Sequence, residues 1–449
     1  MSDTPPSGPL AVITAATLLS LAAFSAPLTT LEAMTVSLGL GPGAQAWVMS
    51  AMPLGAAAGL LTAGALGDTR GRRSTFAGGL WLTLLASVLA ALAPTGTVLI
   101  VARILQGLGT AGLMACGLGL LGQVYQGEAR QRAAAVWAAG LGAGVASGPI
   151  LSAALLPLGD WRAVHWVVAL AAAGLALAAR RVLPESRRLA GRVDWPGSVL
   201  LMAGLGCLLS ALTEMRMGPG GMVAGLLCAA VVLLVLFLLV ERRTHNPILQ
   251  VGLFREAAFT SATVAAFASG AGVLALMSLV PTALERGVGI PPVPAAVILL
   301  AWSGVAVFSA LGARRIPPAI TSHTRIVAAI LGCTLGQLLL LLLAVAPSWW
   351  AVLPGLFVAG IANGVLNASL GHAAVQSVPP ERAAMGSAAN NTARYLGSAL
   401  GIALSSILIA GAGGERFFTG WREAVLATSV LGLLGLAAMV YSGARGRRG

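Results

Sequence analysis

The sequence predicts an all-α membrane protein of fourteen transmembrane helices, two sets of six around a central pair, on three observations. First, 57% of the 449 residues are hydrophobic and 9% are charged, against roughly 25% charged in a soluble domain. Second, apolar runs long enough to cross a bilayer, roughly 20 residues each, recur along the whole chain. Fourteen of them would use about 280 residues and leave connections averaging about eleven. Third, the longest polar stretches, Arg180 to Asp194 and Glu241 to Glu256, are too short to bury a core of their own.

The runs fall in order at Leu10 to Leu31, Ala46 to Leu66, Phe76 to Pro94, Gly96 to Leu118, Ala133 to Leu156 and Ala163 to Ala179, a first set of six. The polar decapeptide before span 1 has no basic residue, so the run reads as a first span and not as a cleaved signal. A basic segment leads to a pair at Pro196 to Thr213 and Gly221 to Val240, and a second basic segment to six more. These lie at Thr260 to Val280, Pro294 to Leu311, Ile326 to Ala346, Trp350 to Leu370, Gly386 to Ala410 and Ala424 to Tyr441. The expected units are residues 1–182, 183–258 and 259–449.

Charge orients this arrangement. All 27 basic residues are arginine, against 14 acids. With both termini inside, 20 arginines fall on the cytoplasmic side and 5 outside, Arg103 and Arg394 being left within spans; positively charged loops stay cytoplasmic, so both termini and the loop from Arg180 to Asp194 are expected there. Trp47, Trp161, Trp166, Trp349, Trp350 and Trp421 gather at the expected outer boundary, as an interfacial belt does. The short arginine clusters lack the aromatic interleaving of a nucleic-acid surface. Cys116, Cys207, Cys228 and Cys333 lie within apolar runs without paired spacing, and the four histidines are scattered. Neither disulfides nor a metal site is indicated, and no hydrolase, phosphate-binding or dinucleotide motif occurs. No cofactor is expected. The partners expected are the bilayer and a small-molecule substrate.

Three local patterns carry function. The loop after span 2 reads Gly64-Ala-Leu-Gly-Asp68-Thr-Arg70-Gly71-Arg72-Arg73; one acid among arginines at a glycine turn can pair charges and cap helix ends, holding one conformation. Span 4 carries Arg103, followed by Gln106, Gly107 and Gly109. Arg103 lies roughly 10 Å inside the span at helical rise, where an arginine costs on the order of 2.5 to 3.5 kcal/mol; snorkelling to the interface is the alternative to a role in transport. Span 5 carries Gly140, Gly144, Gly148 and Ser152 in steps of four, with Pro149 beside them. That spacing puts small residues on one face, where another helix can approach closely.

Together these patterns resemble the major facilitator superfamily, and within it the drug:proton antiporter branch with fourteen spans. Asp68 to Arg73 is similar to the superfamily's signature after its second helix, Arg103 with Gln106-Gly107-x-Gly109 to the branch's fourth-helix motif, and Gly144-x-x-x-Gly148-Pro149 to the fifth-helix antiporter motif. Asp160-Trp161-Arg162, Leu183-Pro184-Glu185-Ser186, Pro247-Ile-Leu, Leu253-Phe254-Arg255, and Asn390-Asn391-Thr392-Ala-Arg394 with Gly397 and Gly401 extend the likeness. The resemblance implies the major facilitator fold, two six-helix bundles rocking about a central site, export of a hydrophobic or amphipathic compound such as an antibiotic, and proton antiport across the plasma or inner membrane. Arg103, Gln106, Gly107, Gly109, Asn390, Asn391 and Arg394 are expected along the transport path.

The sequence departs from the branch at several points. Thr69 stands where a basic residue is usual, and Ala135 and Ser152-Ala153 replace glycines. Most consequentially, Ala23 occupies the place of the aspartate that members of the branch carry midway along span 1. Glu32, roughly 13 Å further out, is the candidate substitute proton site, and a surface carboxylate is the alternative. Without that aspartate, Arg103 and Arg394 are the main ionisable groups within spans, which favours neutral or anionic compounds over cations. The alternatives are an uncoupled facilitator or metabolite exporter, and an enzyme or sensor on a transporter scaffold.

Overall fold

The computed structural model describes residues 7–186, 194–215, 218, 220–244, 247–317, 319–410 and 416–445. Arg187, Arg188 and Arg192, on which the basic-loop expectation partly rests, lie outside the described residues, as do residues 1–6 and 446–449. The described chain is helical throughout, and fourteen of its helices are long and apolar enough to cross a membrane.

Span 1 differs from its expected end at Leu31. It runs as Ser7–Ser25 and resumes as Pro27–Leu38, with Ala26 still helical between them. Pro27 removes one N–H donor without forcing the chain out of helical dihedrals. The helix stops only at Gly39, whose φ of 62° provides a left-handed cap. Spans 2 to 6 are single helices: Pro42–Arg70, Arg72–Ala91, Gly96–Val124, Gly127–Gly159 and Arg162–Val182. The central pair is Trp195–Met215 and Gly221–Glu241.

The last six are less regular. Span 9 is Ala257–Ser269 and Ala275–Ala283 joined by a wide π turn at Gly270–Leu274, with a second at Leu284–Val288. Span 10 breaks between Pro292–Ile298 and Leu300–Gly312, and span 11 between Ser322–Leu339 and Leu342–Val345. Spans 12, 13 and 14 are Leu353–Gln376, Ala383–Ala410 and Arg416–Arg445.

Small residues set the packing, because helices in lipid associate by close backbone approach. The span 5 row faces span 1: a Cβ at Gly140 would lie 2.7 Å from Thr14 Cγ2, at Gly144 2.6 Å from the Leu18 carbonyl, and at Gly148 it would collide with Ser25 Oγ. Ser152 Oγ then donates to the Ala26 carbonyl at 3.0 Å, and Thr29 Oγ1 to the Pro149 carbonyl at 3.1 Å. The row therefore clamps span 1 at its proline break. Gly142, off the row, meets Val307 of span 10 instead.

One apolar core gathers Ile13, Leu60, Phe76, Leu113 and Val168 from the first six spans, and another gathers Leu276, Trp302, Ile330, Leu356 and Trp421 from the last six. The first also takes in Val375, Ala384 and Met385 from spans 12 and 13 and Val378 from the turn between them, so the halves meet at the end that carries Asp68. Span 7 rests on spans 2 and 13 through Leu209, Leu54, Ala57, Leu396 and Ala399. Its far end is tied by Glu214, which accepts from Trp47 Nε1 at 2.5 Å. Span 8 leaves Met222, Val231, Val235 and Leu239 exposed, as a helix turned towards lipid does.

The expected tryptophan belt is narrower than the sequence suggests. Trp166, Trp349 and Trp350 are exposed, but Trp161 and Trp421 are wholly buried. Trp161 follows Asp160, a non-glycine residue at a φ of 60°, and stacks edge-on with His165 while Arg162 lies over its ring. Arg162 pairs with Asp160 at 3.0 Å and donates to Ser37 and to the Ala93 carbonyl, so the turn fastens the ends of spans 1, 3, 5 and 6 opposite the Asp68 face.

Candidate functional site

At the end of span 2, Asp68 is buried and joins the two halves. Its Oδ1 lies 3.1 Å from Arg72 Nη2, while the backbone N–H groups of Ala384 and Met385 donate to its carboxylate at 3.4 and 3.1 Å. Those N–H groups open span 13, where no intrahelical acceptor exists and the helix dipole favours an anion. Arg72 reaches over the same contact and donates to the carbonyls of Pro380 and Glu381 at 2.8 and 3.2 Å. Gly64 and Gly67 make the approach possible: a Cβ on Gly64 would lie 2.9 Å from Ala388 Cβ, and one on Gly67 2.6 Å from Cys116 Sγ.

The start of span 3 is held by a second carboxylate. Glu185 accepts from the N–H groups of Arg73 and Ser74 at 3.0 and 3.2 Å and from Ser74 Oγ at 2.5 Å, and lies 3.6 Å from Arg73 Nε. Ser186 Oγ accepts from the Arg72 N–H at 2.9 Å. Burial alone pushes the Glu185 carboxyl up, but the Ser74 hydroxyl, the Ser186 and Arg73 N–H groups and the Arg73 charge together outweigh it and hold the group below the usual carboxylate range. Gly71, at a φ of 109°, turns the chain between these two anchors, and a side chain there would strike the Glu185 carboxylate. Arg70 takes no part in them: it is exposed, with its guanidinium 5.5 Å from the Trp195 ring centroid.

Arg103 is fully buried and does not snorkel. Its Nε donates to the Val48 carbonyl at 2.8 Å, Nη1 to Ala23 at 3.2 Å and Nη2 to Phe24 at 3.1 Å. Pro27, four residues after Ala23, has no N–H, so the Ala23 carbonyl is left without a helical partner. The guanidinium therefore lands on the backbone of the residue that replaces the branch's aspartate. Glu32 is exposed and is not among its partners. Gln106 turns the other way and donates to Ser87 Oγ at 2.9 Å, with His165 Nδ1 at 3.4 Å. Gly107 and Gly109 seat span 4 on spans 2 and 3: a Cβ would collide with the Met52 carbonyl at the first, and lie 2.7 Å from the Gly79 carbonyl at the second.

Next to the Asp68 contact, a narrow cavity with room for about one water molecule lies between the halves. Leu118, Trp137 and Leu141 line one side, and Asn367, Leu370, Gly371, Ala374, Ser387, Asn390, Asn391 and Arg394 the other. Arg394 Nη1 donates to Asn367 Oδ1 at 2.7 Å, and its Nε is buried without a partner among the described residues. Asn390 Nδ2 donates to the Ala262 carbonyl at 3.1 Å and Asn391 Nδ2 to Ser387 at 3.0 Å. Ser387 Oγ donates to the Met114 carbonyl at 2.9 Å, joining spans 13 and 4, and Trp137 Nε1 donates to Thr17. Among the described residues no carboxylate lines the space.

The structure thus brings together Asn390, Asn391 and Arg394, and separately Asp68 and Arg72, while Arg103 and Gln106 lie within the first half. Sequence reading passed over Asn367 and Trp137. Asn363 and Asn367, two amides spaced four apart in an apolar run, were the signal available for the first.

The Major Facilitator Superfamily family model matches residues 13–402. The chain is 33% identical over 412 residues to the puromycin resistance protein pur8 of Streptomyces alboniger, covering 90% of this chain and 82% of that one. It is 30% identical over 362 residues to the multidrug efflux pump LfrA of Mycolicibacterium smegmatis, covering 80% and 72%. Among solved structures, the human organic anion transporter MFSD10 superposes with a TM-score of 0.68 at 17% identity, covering 96% of this chain and 100% of that one. At that identity the likeness is one of fold.

Proposed function

The chain belongs to the major facilitator superfamily, and from that premise we propose that it is an efflux transporter for hydrophobic or amphipathic small molecules, working by alternating access and not as an enzyme. Relatives named for multidrug efflux and antibiotic resistance match most of its length. The observation that supports the reading is the cavity between the halves, beside the contact in which Asp68 and Arg72 meet the start of span 13. The units 1–182 and 259–449 are the two bundles, with 183–258 as the inserted pair. The arginine distribution supports an orientation with both termini and the Asp68 face in the cytoplasm, in a plasma or inner membrane.

In this reading Asp68, Arg72, Arg73, Gly64 and Gly71 form a latch that sets the balance between inward- and outward-open states without touching substrate. Substrate sits against Trp137 and the Asn367–Arg394 pair. Arg394 supplies donors and a positive charge with no acid beside it, so the site suits a neutral compound with acceptor oxygens, or an anion, better than a cation.

A second reading, uncoupled transport, is favoured by the three carbonyls around Arg103, which leave no exchangeable proton where the branch's aspartate would be. The test is transport in proteoliposomes of a panel including puromycin, methylenomycin A and tetracenomycin C, with and without an imposed proton gradient. Gradient-driven transport supports antiport, gradient-independent transport the uncoupled reading. No protein-dependent flux of any compound in a broad panel would refute the export reading.

A further inference from the structure

Among the described residues three carboxylates are buried: Asp68, Asp194 and Glu241. Asp68 has an arginine and two N–H donors, as described above. The other two meet at the Asp68-side ends of the inserted pair. Asp194 precedes span 7, and its Oδ1 accepts from the Gly197 N–H at 3.0 Å, capping that helix. Glu241 ends span 8, and its Oε1 accepts from the Leu249 N–H at 2.6 Å, tying the following turn back to the helix. One oxygen of each remains. Asp194 Oδ2 and Glu241 Oε2 are both buried with no partner among the described residues, in side chains only 8% and 3% exposed. Both point at the bare Cα of Gly197: a Cβ there would collide with Asp194 Oδ2 and lie 3.1 Å from Glu241 Oε2.

The charges around this point do not neutralise it. Span 2 packs on span 7 and brings Arg70, whose guanidinium lies over the Trp195 ring and not on either carboxyl. Span 8 adds Arg242 and Arg243, both exposed. The turn Pro247-Ile248-Leu249 is uncharged, and span 13 turns Arg394 towards the central cavity. Arg192 and His245, near in sequence, lie outside the described residues. Among the described residues no cation sits on either carboxylate; two such buried groups resist joint ionisation, and a single proton between them relieves it.

We propose that Asp194 and Glu241 hold one proton between them at neutral pH, forming a proton-binding site on the inserted pair that is separate from both the latch and the cavity. With one carboxyl donating to the other carboxylate, one proton satisfies both orphaned oxygens. Below the pH at which that proton leaves, the Gly197 cap and the Leu249 tether share a centre with a single negative charge. Above it two anions face each other and the attachment of spans 7 and 8 weakens. The site follows the pH of the compartment that the Asp68 face meets, and this holds whether or not the chain exports drugs.

Infrared difference spectra of the purified full-length protein, titrated with acid and base, test the proposal through the carbonyl stretch of a protonated carboxyl. Wild-type protein is expected to show one such band at pH 7 that disappears as pH rises, and Asp194→Asn and Glu241→Gln are each expected to lower the pH at which it disappears, because either change removes the second anion and supplies an amide donor to the carboxyl that remains. If a variant does not fold, wild-type protein carrying carbon-13 aspartate or glutamate replaces it, and the band must shift with at least one label. Absence of the band in wild type overturns the proposal, whether Arg192, His245 or a sodium ion neutralises the pair. So does a band that disappears at the wild-type pH in both variants, or one that fails to shift with either label.

Discussion

Arg103 and Arg394 are both buried, both lie within spans and both lack a carboxylate partner, yet their surroundings differ. Arg103 spends its donors on three backbone carbonyls from spans 1 and 2. Arg394 donates to Asn367 and Tyr395, leaves Nε without a partner among the described residues and faces a cavity. A buried polar group without a partner is costly, so an arginine that satisfies its donors inside the protein braces the fold, whereas one that keeps donors in reserve beside a space is arranged for something that enters it. Under the proposed function, Arg103 is a brace that takes the place of an ion pair, and Arg394 is the charge offered to substrate.

The largest expected effect separates the two. Arg394→Gln is expected to lower transport at least tenfold while leaving the melting temperature close to wild type, as followed by flux in proteoliposomes and by thermal unfolding in detergent. Arg103→Gln should do the reverse first. It strands the Ala23 carbonyl, which Pro27 leaves without a helical donor, at about 1 to 3 kcal/mol when buried and unmet, and removes the ties to Phe24 and Val48, so yield and melting temperature fall before any intrinsic transport rate does. A well-folded Arg103→Gln protein with no transport would break the comparison.

The latch gives the next effect. Asp68→Asn keeps the size of the side chain but removes the charge that faces Arg72 and the start of span 13. Turnover is expected to fall several-fold, while equilibrium binding of a transported compound in detergent stays within a few fold. Abolished binding in folded protein would place this loop in the substrate site.

Ala23→Asp sharpens the comparison from the other side. A carboxylate near the Arg103 guanidinium would be held ionised by it and would give the first half the exchangeable acid it lacks. Export by this variant is expected to become more dependent on an imposed proton gradient than wild type; an unchanged dependence would mean that Arg103 cannot leave its carbonyls.

The smallest effect belongs to Glu185. Its carboxyl is held below the usual range in the folded protein, so the stability it adds is present above the unfolded value, roughly pH 4.3, and is lost as pH falls through the folded value. Glu185→Gln is expected to flatten the acid side of a melting-temperature profile by about 1 °C, with little change at pH 7. An unchanged acid limb would show that its bonds to Arg73 and Ser74 do not persist in solution.

Much of this was legible in the sequence, for identifiable reasons. Fourteen apolar runs are a one-dimensional signal, and all fourteen appear as helices. Asp68 and Arg103 stood out because charge is rare in such runs. What hydropathy does not encode is where a helix continues past its apolar stretch, as span 1 does to Leu38, or where it widens, as span 9 does at Gly270. Gly270 lies against the Arg394 carbonyl, a contact visible only once both spans are placed. Asn367 and Trp137 were silent for the same reason: an amide or an indole in an apolar run looks alike whether it faces a cavity or a neighbouring helix. Trp161 and Trp421 show the converse, passing for interfacial residues by position while being buried by packing.

The most direct test of the division between brace and binding charge is a binding series on one scaffold. An amphipathic acid, its methyl ester and the matching amine are titrated into purified wild type, Arg394→Gln and Arg103→Gln. Wild type should prefer acid and ester over amine, Arg394→Gln should lose the preference for the acid by about tenfold, or about 1.4 kcal/mol, and the fraction of Arg103→Gln that folds should keep the wild-type order. Preference for the acid that survives in Arg394→Gln and vanishes in folded Arg103→Gln would contradict the account.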